Sequence, residues 1–458
     1  QQGSLEICLV GIGMGSRDCM TKEVQQTIET ADILLGAERM IADYSARIEK
    51  KPYYMAAQIL PYLEKLQESE ELAQQETLRV AVLFSGDTGF YSGCRKLYVE
   101  LQEAIAAGQL RGSVRILPGI SSVVSLAARV GESYEDAAIL SMHGKKLNRL
   151  AATVESHEKV FLLTSGCEDI RKIGQTLTEA GLGDCEVIAG YQLSYPEENI
   201  RILTPEQCEE VTEEGLYICL IRNPHPKPEC LTHGRADTCF LRDASGTEGK
   251  LRRTPMTKEE VREVSICKLH LTDGAVVYDI GSGTGSVAVE IAGLSETVHV
   301  YAVERKPEAV ELLRKNREHF HMDNMEIIEA LAPEGLEELP VPTHAFIGGS
   351  GGRLMDILQT LYRKNPHMRI VINAISMETI AELQEVLEAF PVEDEEILQM
   401  QVNRVKKLGS YHLPQAENPV WICSFTFREG ETGSMNKVKK ALLTEEENGN
   451  RKNGEVQR

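Results

Sequence analysis

Short apolar runs alternate along this chain with longer stretches in which apolar positions recur every three or four residues. The short runs read as buried strands and the longer stretches as amphipathic helices. Over residues 5–222 the pattern predicts strands at 6–10, 33–35, 79–83, 114–117, 160–163, 186–189 and 215–221. Helices are expected at 22–30, 60–73, 123–128 and 170–180. Such alternation implies an α/β module with largely parallel strands. The segment Asn223-Pro224-His225-Pro226-Lys227-Pro228 then interrupts it, because prolines at alternate positions sustain neither a helix nor a sheet ladder. Residues 223–254 are therefore expected to be a linker. A second alternation fills residues 255–428, with strands at 276–280, 298–304, 325–329, 344–348 and 369–374 and helices at 287–292, 307–319, 354–362 and 377–390. Residues 420–427 would add a late edge strand, completing one doubly wound sheet. At the start of this module Thr257 is placed to cap a helix, with Glu260 completing a capping box. From residue 429 the chain is polar, and residues 429–458 are expected to be a disordered or partly helical tail.

Composition narrows the class. The 458 residues are enough for two or three cores, and no apolar run approaches the length that spans a bilayer. The first apolar run, residues 7–10, is too short for an export signal, so a cytoplasmic place is expected. The 11 cysteines form no C-x-x-C pair and read as reduced thiols. Cys219, His225, Cys230, His233 and Cys239 crowd the linker without close-pair zinc spacing, so no metal site is expected. The formal net charge of −21 argues against a general nucleic-acid binder. Local basic clusters remain at Lys145, Lys146 and Arg149, at Arg252 and Arg253, and at Arg404, Lys406 and Lys407, and they suit a polyanionic small molecule.

Candidate chemistry concentrates in Asp279-Ile280-Gly281-Ser282-Gly283-Thr284-Gly285, between an apolar strand and a helix. Glycines at such a turn let a ligand approach the backbone and the helix N-terminus. Glu304 closes the next strand, where a carboxylate can accept from both ribose hydroxyls of a nucleoside cofactor. The loop departs from the dinucleotide fingerprint. Its D-x-G-x-G-x-G form resembles motif I of class I S-adenosylmethionine (SAM) methyltransferases. In the first module three more glycine clusters follow strands: Gly11-Ile12-Gly13-Met14-Gly15, Gly86-Asp87-Thr88-Gly89 and Pro118-Gly119-Ile120-Ser121-Ser122. Together they would line one sheet edge with exposed N–H groups.

These three clusters, with Leu140-Ser141-Met142-His143-Gly144-Lys145 and Gly190-Tyr191-Gln192-Leu193-Ser194-Tyr195-Pro196, resemble the tetrapyrrole methylase family over nearly all of residues 5–222. The resemblance implies a class III fold of two α/β subdomains, with SAM and a macrocycle in the cleft between them. It points to the branch that methylates carbon 5 of a corrin precursor. The second module resembles the class I family that methylates carbon 15 and decarboxylates the ring C acetate. That likeness rests on Pro255-Met256-Thr257-Lys258-Glu259-Glu260-Val261-Arg262, the motif I loop, Glu304, Ala330-Leu331-Ala332-Pro333-Glu334 and Ile347-Gly348-Gly349-Ser350-Gly351-Gly352. Asn373-Ala374-Ile375 and Asn418-Pro419-Val420 fit as well.

The pairing implies a bifunctional, SAM-dependent enzyme of cobalamin biosynthesis. Its substrate would be a tetrapyrrole, either a metal-free or a cobalt-bearing precorrin, with neither nucleic acid nor membrane as a partner, and the families imply homo-oligomers. On this reading SAM is held in the second module by Thr257, Asp279, Gly281, Ser282, Gly283, Thr284, Gly285, Glu304 and Ala332. In the first module it is held by Gly13, Asp87, Thr88, Gly89, Ser121 and Ser122, with His143 a candidate for macrocycle contact. The cofactor carries the activated methyl, so no side-chain nucleophile is expected and no catalytic residue is assigned. The proton for decarboxylation could come from water, His412 or Tyr411. An RNA methyltransferase and a non-enzymatic corrin carrier are the competing readings. The acidic balance weighs against the first, and two intact glycine sites weigh against the second.

Overall fold

In the computed structural model, residues 3–69, 76–142, 149–227, 232, 234–244 and 252–430 are described. His143, Lys145, Lys146, Cys230, His233 and nearly all of the expected tail lie outside them. The chain divides into two compact units, Gln1–Pro228 and Glu229–Arg458.

Strand β1 (Ser4–Gly11) is buried continuously over residues 7–11, as a parallel strand covered on both faces must be. It lies between β4 (Thr77–Phe84) and β5 (Gly112–Leu117), and β2 (Ile33–Leu35) and β3 (Glu49–Lys51) extend the sheet beyond β4. All of these pairings are parallel. The second sheet of the unit runs β6 (Ala138–Ser141), β7 (Lys159–Leu163), β10 (Tyr217–Arg222), β8 (Glu186–Tyr191), β9 (Asn199–Leu203). Here the expectation of largely parallel strands fails, since only β6 and β7 pair in parallel. A buried antiparallel strand such as β10 carries the same unbroken apolar run as a parallel one, so periodicity does not separate them.

The second unit opens with a short ribbon, β11 (Asp243–Ala244) and β12 (Arg252–Arg253). Its main sheet is built from β13 (Val276–Ile280), β14 (His299–Glu304), β15 (Met325–Glu329), β16 (His344–Ile347), β17 (Arg369–Ala374), β18 (Val392–Met400) and β21 (Val420–Phe427), in the order β15-β14-β13-β16-β17-β21-β18. Alternate residues of β13 feed two cores: Val277 packs on one face and Tyr278 and Ile280 on the other. The final strand is not an edge. β21 is antiparallel to both β17 and β18, and β18 takes the edge. The sequence of β18, Val-Glu-Asp-Glu-Glu-Ile-Leu-Gln-Met, hides a strand behind charges that guard an exposed edge. Between β18 and β21 a hairpin, β19 (Asn403–Leu408) and β20 (Tyr411–Ala416), forms its own two-stranded sheet.

The segment expected to be a linker is in part packed onto this unit. Phe240 is buried in its core against Phe320, with ring centroids 5.1 Å apart. The Leu241 N–H donates to Asn316 Oδ1 at 2.9 Å.

Candidate active site

The glycine loop leaves β13 at its carboxyl end and enters the helix Ser286–Leu294. Gly281, Gly283 and Gly285 all have positive φ, at 73°, 59° and 81°. Two of them also sit where a side chain would collide. A Cβ on Gly281 would lie 2.6 Å from the Gly349 carbonyl oxygen, and one on Gly285 would strike Leu313 Cδ1. Glycine is thus fixed twice over, by conformation and by close packing. The loop is pinned to the neighbouring strand because the N–H groups of Gly281 and Ser282 both donate to the Val303 carbonyl, at 3.0 and 3.1 Å.

Glu304 ends β14 beside this loop, with only 8% of its surface exposed. Its Oε2 accepts from the Gly283 N–H at 2.9 Å, and its Oε1 accepts from the N–H groups of Arg305 and Lys306, each at 2.9 Å. The carboxylate therefore orders the loop and still lines the cleft. Asp279 is fully buried on β13. Its Oδ2 accepts the Ser282 hydroxyl at 2.5 Å, and the Ala288 N–H lies near enough to favour the charged form, while Oδ1 meets no partner in good hydrogen-bond geometry among the described residues. Burial, with the charge of Glu304 adding to it, pushes the Asp279 carboxyl up to about 7.

These groups border a cleft of about 660 Å³. Of the expected residues Thr257, Gly281, Ser282, Gly283, Glu304 and Ala332 line it; Asp279, Thr284 and Gly285 stand behind it. Thr284 and Asp279 are both fully buried, and Thr284 and Gly285 join the loop to its helix. Gly348 and Gly349 form part of the floor. Lys258, quoted only as part of a motif, lines it too, and several lining residues escaped the sequence reading: Arg305 and Lys306 bring positive charge, and Met400, Val402 and Glu417 come from the roots of the β19–β20 hairpin. Only the third dimension returns those roots to the loop. Tyr411 and His412, raised as proton donors, are exposed on the hairpin and do not line the cleft.

The expected capping box does not form. The helix Glu259–Leu269 has Lys258, not Thr257, at its N-cap, with no side-chain cap bond from that residue. The cap comes from elsewhere in the chain: Asp237 Oδ1 accepts from the Glu259 N–H at 3.0 Å. Glu260 is drawn away by Arg404, at 2.5 Å. Beneath this sits Arg262, which is fully buried. It donates to the Thr257 carbonyl at 2.9 Å and to Asp237 at 3.3 Å, and faces Glu290 at 3.6 Å. Its guanidinium also covers the Phe240 ring, 4.8 Å from the centroid. Arg235 completes the pairing of Glu290 at 3.0 Å. This network fixes the Pro255–Thr257 wall over the glycine loop, where the Pro255 carbonyl would lie 3.1 Å from a Cβ on Gly283.

In the first unit the three glycine clusters meet at the carboxyl ends of β1, β4 and β5. Gly13 and Gly86 bridge through N–H to carbonyl bonds of 3.1 and 2.7 Å. Asp87 ties two loops together, accepting from the N–H groups of Gly89 at 2.8 Å and Gly119 at 3.0 Å. The Thr88 hydroxyl donates to the Leu117 carbonyl at 3.2 Å. Ser121 caps the helix Ser122–Val130 by accepting from the Val124 N–H at 3.3 Å. All six expected residues are brought together, with Asp87, Thr88 and Ser121 bonded to the wall itself. Tyr195, quoted only as part of a motif, approaches closely: its hydroxyl would lie 2.5 Å from a Cβ on Gly15.

Comparison with known proteins follows this division. Residues 6–208 match the family model of tetrapyrrole (corrin/porphyrin) methylases, and residues 252–426 match that of the precorrin methyltransferase domain. A probable cobalt-precorrin-6B C(15)-methyltransferase (decarboxylating) from Pyrobaculum calidifontis is 38% identical over 170 residues, covering 37% of this chain and 87% of that protein. The chain belongs to the precorrin methyltransferases. Across both halves, a precorrin-6Y C(5,15)-methyltransferase [decarboxylating] from Sinorhizobium sp is 25% identical over 381 residues, 82% of this chain and 86% of that one. A crystal structure of precorrin-6y C5,15-methyltransferase from Geobacter metallireducens is 34% identical and covers 42% of this chain and 97% of its own, with a TM-score of 0.38. As a precorrin methyltransferase the chain is an enzyme of mixed α/β fold. Among the described residues no helix is long and apolar enough to cross a membrane, and no group of three or more His, Cys, Asp or Glu could hold a metal.

Proposed function

We propose that this chain methylates a corrin precursor at carbons 5 and 15 and removes the ring C acetate carboxylate, as a step of cobalamin biosynthesis with SAM as the methyl donor. The observation that carries this reading is the succession, in one chain, of a tetrapyrrole methylase domain and a precorrin methyltransferase domain, each with its own glycine-built wall. In the second domain the residues suit SAM: Glu304 sits at the strand end beside a positive-φ loop, and Asp279 keeps a buried oxygen with no well-aligned partner among the described residues. When bound, SAM supplies a methyl group on a sulfonium. Thr257, Gly281, Ser282, Gly283, Thr284, Gly285, Glu304 and Ala332 would hold it there, with Asp279 behind. Gly13, Asp87, Thr88, Gly89, Ser121 and Ser122 would do so in the first domain.

The chain's own part is placement. The loop backbone would position the donor, the Gly348-Gly349 floor would leave room for a flat substrate, and Lys258, Arg305 and Lys306 would offer charge to its carboxylates. No side chain is asked to attack. The test is incubation of the purified chain with SAM and either the metal-free or the cobalt-bearing precursor, read by mass spectrometry. Two methyl additions and one loss of carbon dioxide are expected. Methyl transfer to bulk RNA, with none to either corrin, would overturn the reading.

A further inference from the structure

Beside the cleft of the second unit lies a smaller recess of about 190 Å³. It shares Gly349, Ser350 and Asn373 with the cleft and adds Ile347, Ser376 and Thr379. A water's share of liquid volume is about 30 Å³, so the recess can take a carboxylate together with a few waters. Gly349 stands at the seam. Its φ is not positive, and a Cβ there would meet no atom within 4 Å. Neither strain nor packing calls for glycine at that point, whereas an open passage does.

The chemistry of the walls is the second observation. Among the described residues no Lys, Arg or His lines the recess. Its polar groups are hydroxyls and the Asn373 amide, which is held from behind by the buried Ser265, with 3.1 Å between the Ser265 hydroxyl oxygen and Oδ1. The helix Met377–Ala389 starts at its rim, but that terminus is already engaged. Ser376 Oγ accepts from the Thr379 N–H at 3.2 Å. The Glu378 carboxylate folds onto its own N–H and onto Ser376, and is held below the usual carboxylate range by them.

We propose that this recess receives the acetate carboxylate of the substrate and is where its carbon–carbon bond breaks. The proposal rests on the corrin reading above and deepens it. A carboxylate entering the recess gives up part of its water for neutral dipoles and alkyl groups, with no cation among the described lining residues to pair it. An ionised carboxylate loses more by this exchange than a dispersed charge does. As the bond breaks, the electron pair stays on the side-chain carbon and spreads into the conjugated macrocycle, the carboxylate carbon departs as carbon dioxide, and a proton from water turns the remaining CH2 into a methyl group. The reactant is thus stressed more than the transition state. A cation in the recess would reverse the effect by clamping the reactant.

Thr379→Lys and Thr379→Met, in the full chain with SAM and the corrin precursor, test this. Thr379→Lys should lower KM for the corrin and cut the carbon dioxide released per carbon-15 methyl at least tenfold, so that methylated product retaining its carboxylate accumulates. Thr379→Met, neutral and of similar length, should raise KM and also depress release. Release per methyl at the parent value in Thr379→Lys, or KM moving the same way in both variants, would overturn the proposal. A parent chain that methylates no corrin would instead refute the corrin reading.

Discussion

Asp279 shows how one buried carboxyl couples stability to ligand charge. Its ordinary value when unfolded is about 3.9, and in the folded chain burial holds it at about 7. Between those values the folded chain keeps a proton that the unfolded chain has released. Stability therefore falls as pH rises through that window, and levels off above about pH 7. The displacement corresponds to about 4 kcal/mol at most. Asp279→Asn should match the parent in urea unfolding at pH 4 and exceed it at pH 8; an unchanged difference between the two pH values would exclude ionisation as the cause. A cationic ligand beside the carboxyl favours its ionised form, so SAM binding at pH 6.5 should release protons, measurable by calorimetry in buffers of different ionisation enthalpy. The sequence marked Asp279 as one of the residues of the SAM loop. It could not show that one oxygen would be buried with no well-aligned partner among the described residues, because that depends on the strands and helix packed around β13.

At the scale of elements, the strand–loop–helix of motif I was legible because period, glycine spacing and terminal acid all agree locally. The cap of the helix Glu259–Leu269 was not, because its acceptor, Asp237, is 22 residues away. The same segment supplies Arg235 and Phe240 to the buried charges of the second unit. Removing Asp237 takes a charge-assisted hydrogen bond of about 1.5–3 kcal/mol from the buried Arg262, which keeps Glu290 and the Thr257 carbonyl. Asp237→Ala should lower the unfolding free energy by roughly that amount and weaken carbon-15 methylation through the Thr257 wall, while carbon-5 methylation persists. Denaturant melts beside methyl counts check both, and loss of the two methylations in parallel would show that the segment serves the whole chain rather than this site. Lysine at position 262 should not rescue the network, because it lacks the fork that serves Thr257, Asp237 and Arg235 together. Strand β18 and the β19–β20 hairpin were missed for the opposite reason: charge on exposed β18 and β19 erases the apolar alternation that reveals strands, and the proline in exposed β20 argues against one.

Across the whole molecule two glycine walls of different design stand on separate units. Glu304→Ala in the full chain should weaken SAM binding at one site by roughly tenfold or more, since three backbone N–H groups already occupy the carboxylate and leave it one charge-assisted hydrogen bond of about 1.5 kcal/mol to offer. Product mass should then show the carbon-5 methyl without the carbon-15 methyl; equal loss of both from folded protein would contradict two independent sites. The sequence by itself determined the two α/β alternations, the glycine turns and the acid after β14, since each is written in residues close together along the chain and governed by local conformation. Contacts between distant segments settle which backbone groups Asp87 and Glu304 already hold, where Arg262 finds its partners, and that a recess with no cation among its described lining residues opens beside Gly349. Those outcomes depend on contacts between segments up to more than a hundred residues apart, such as Ser265 with Asn373, and no local pattern encodes the distance or the dielectric between them.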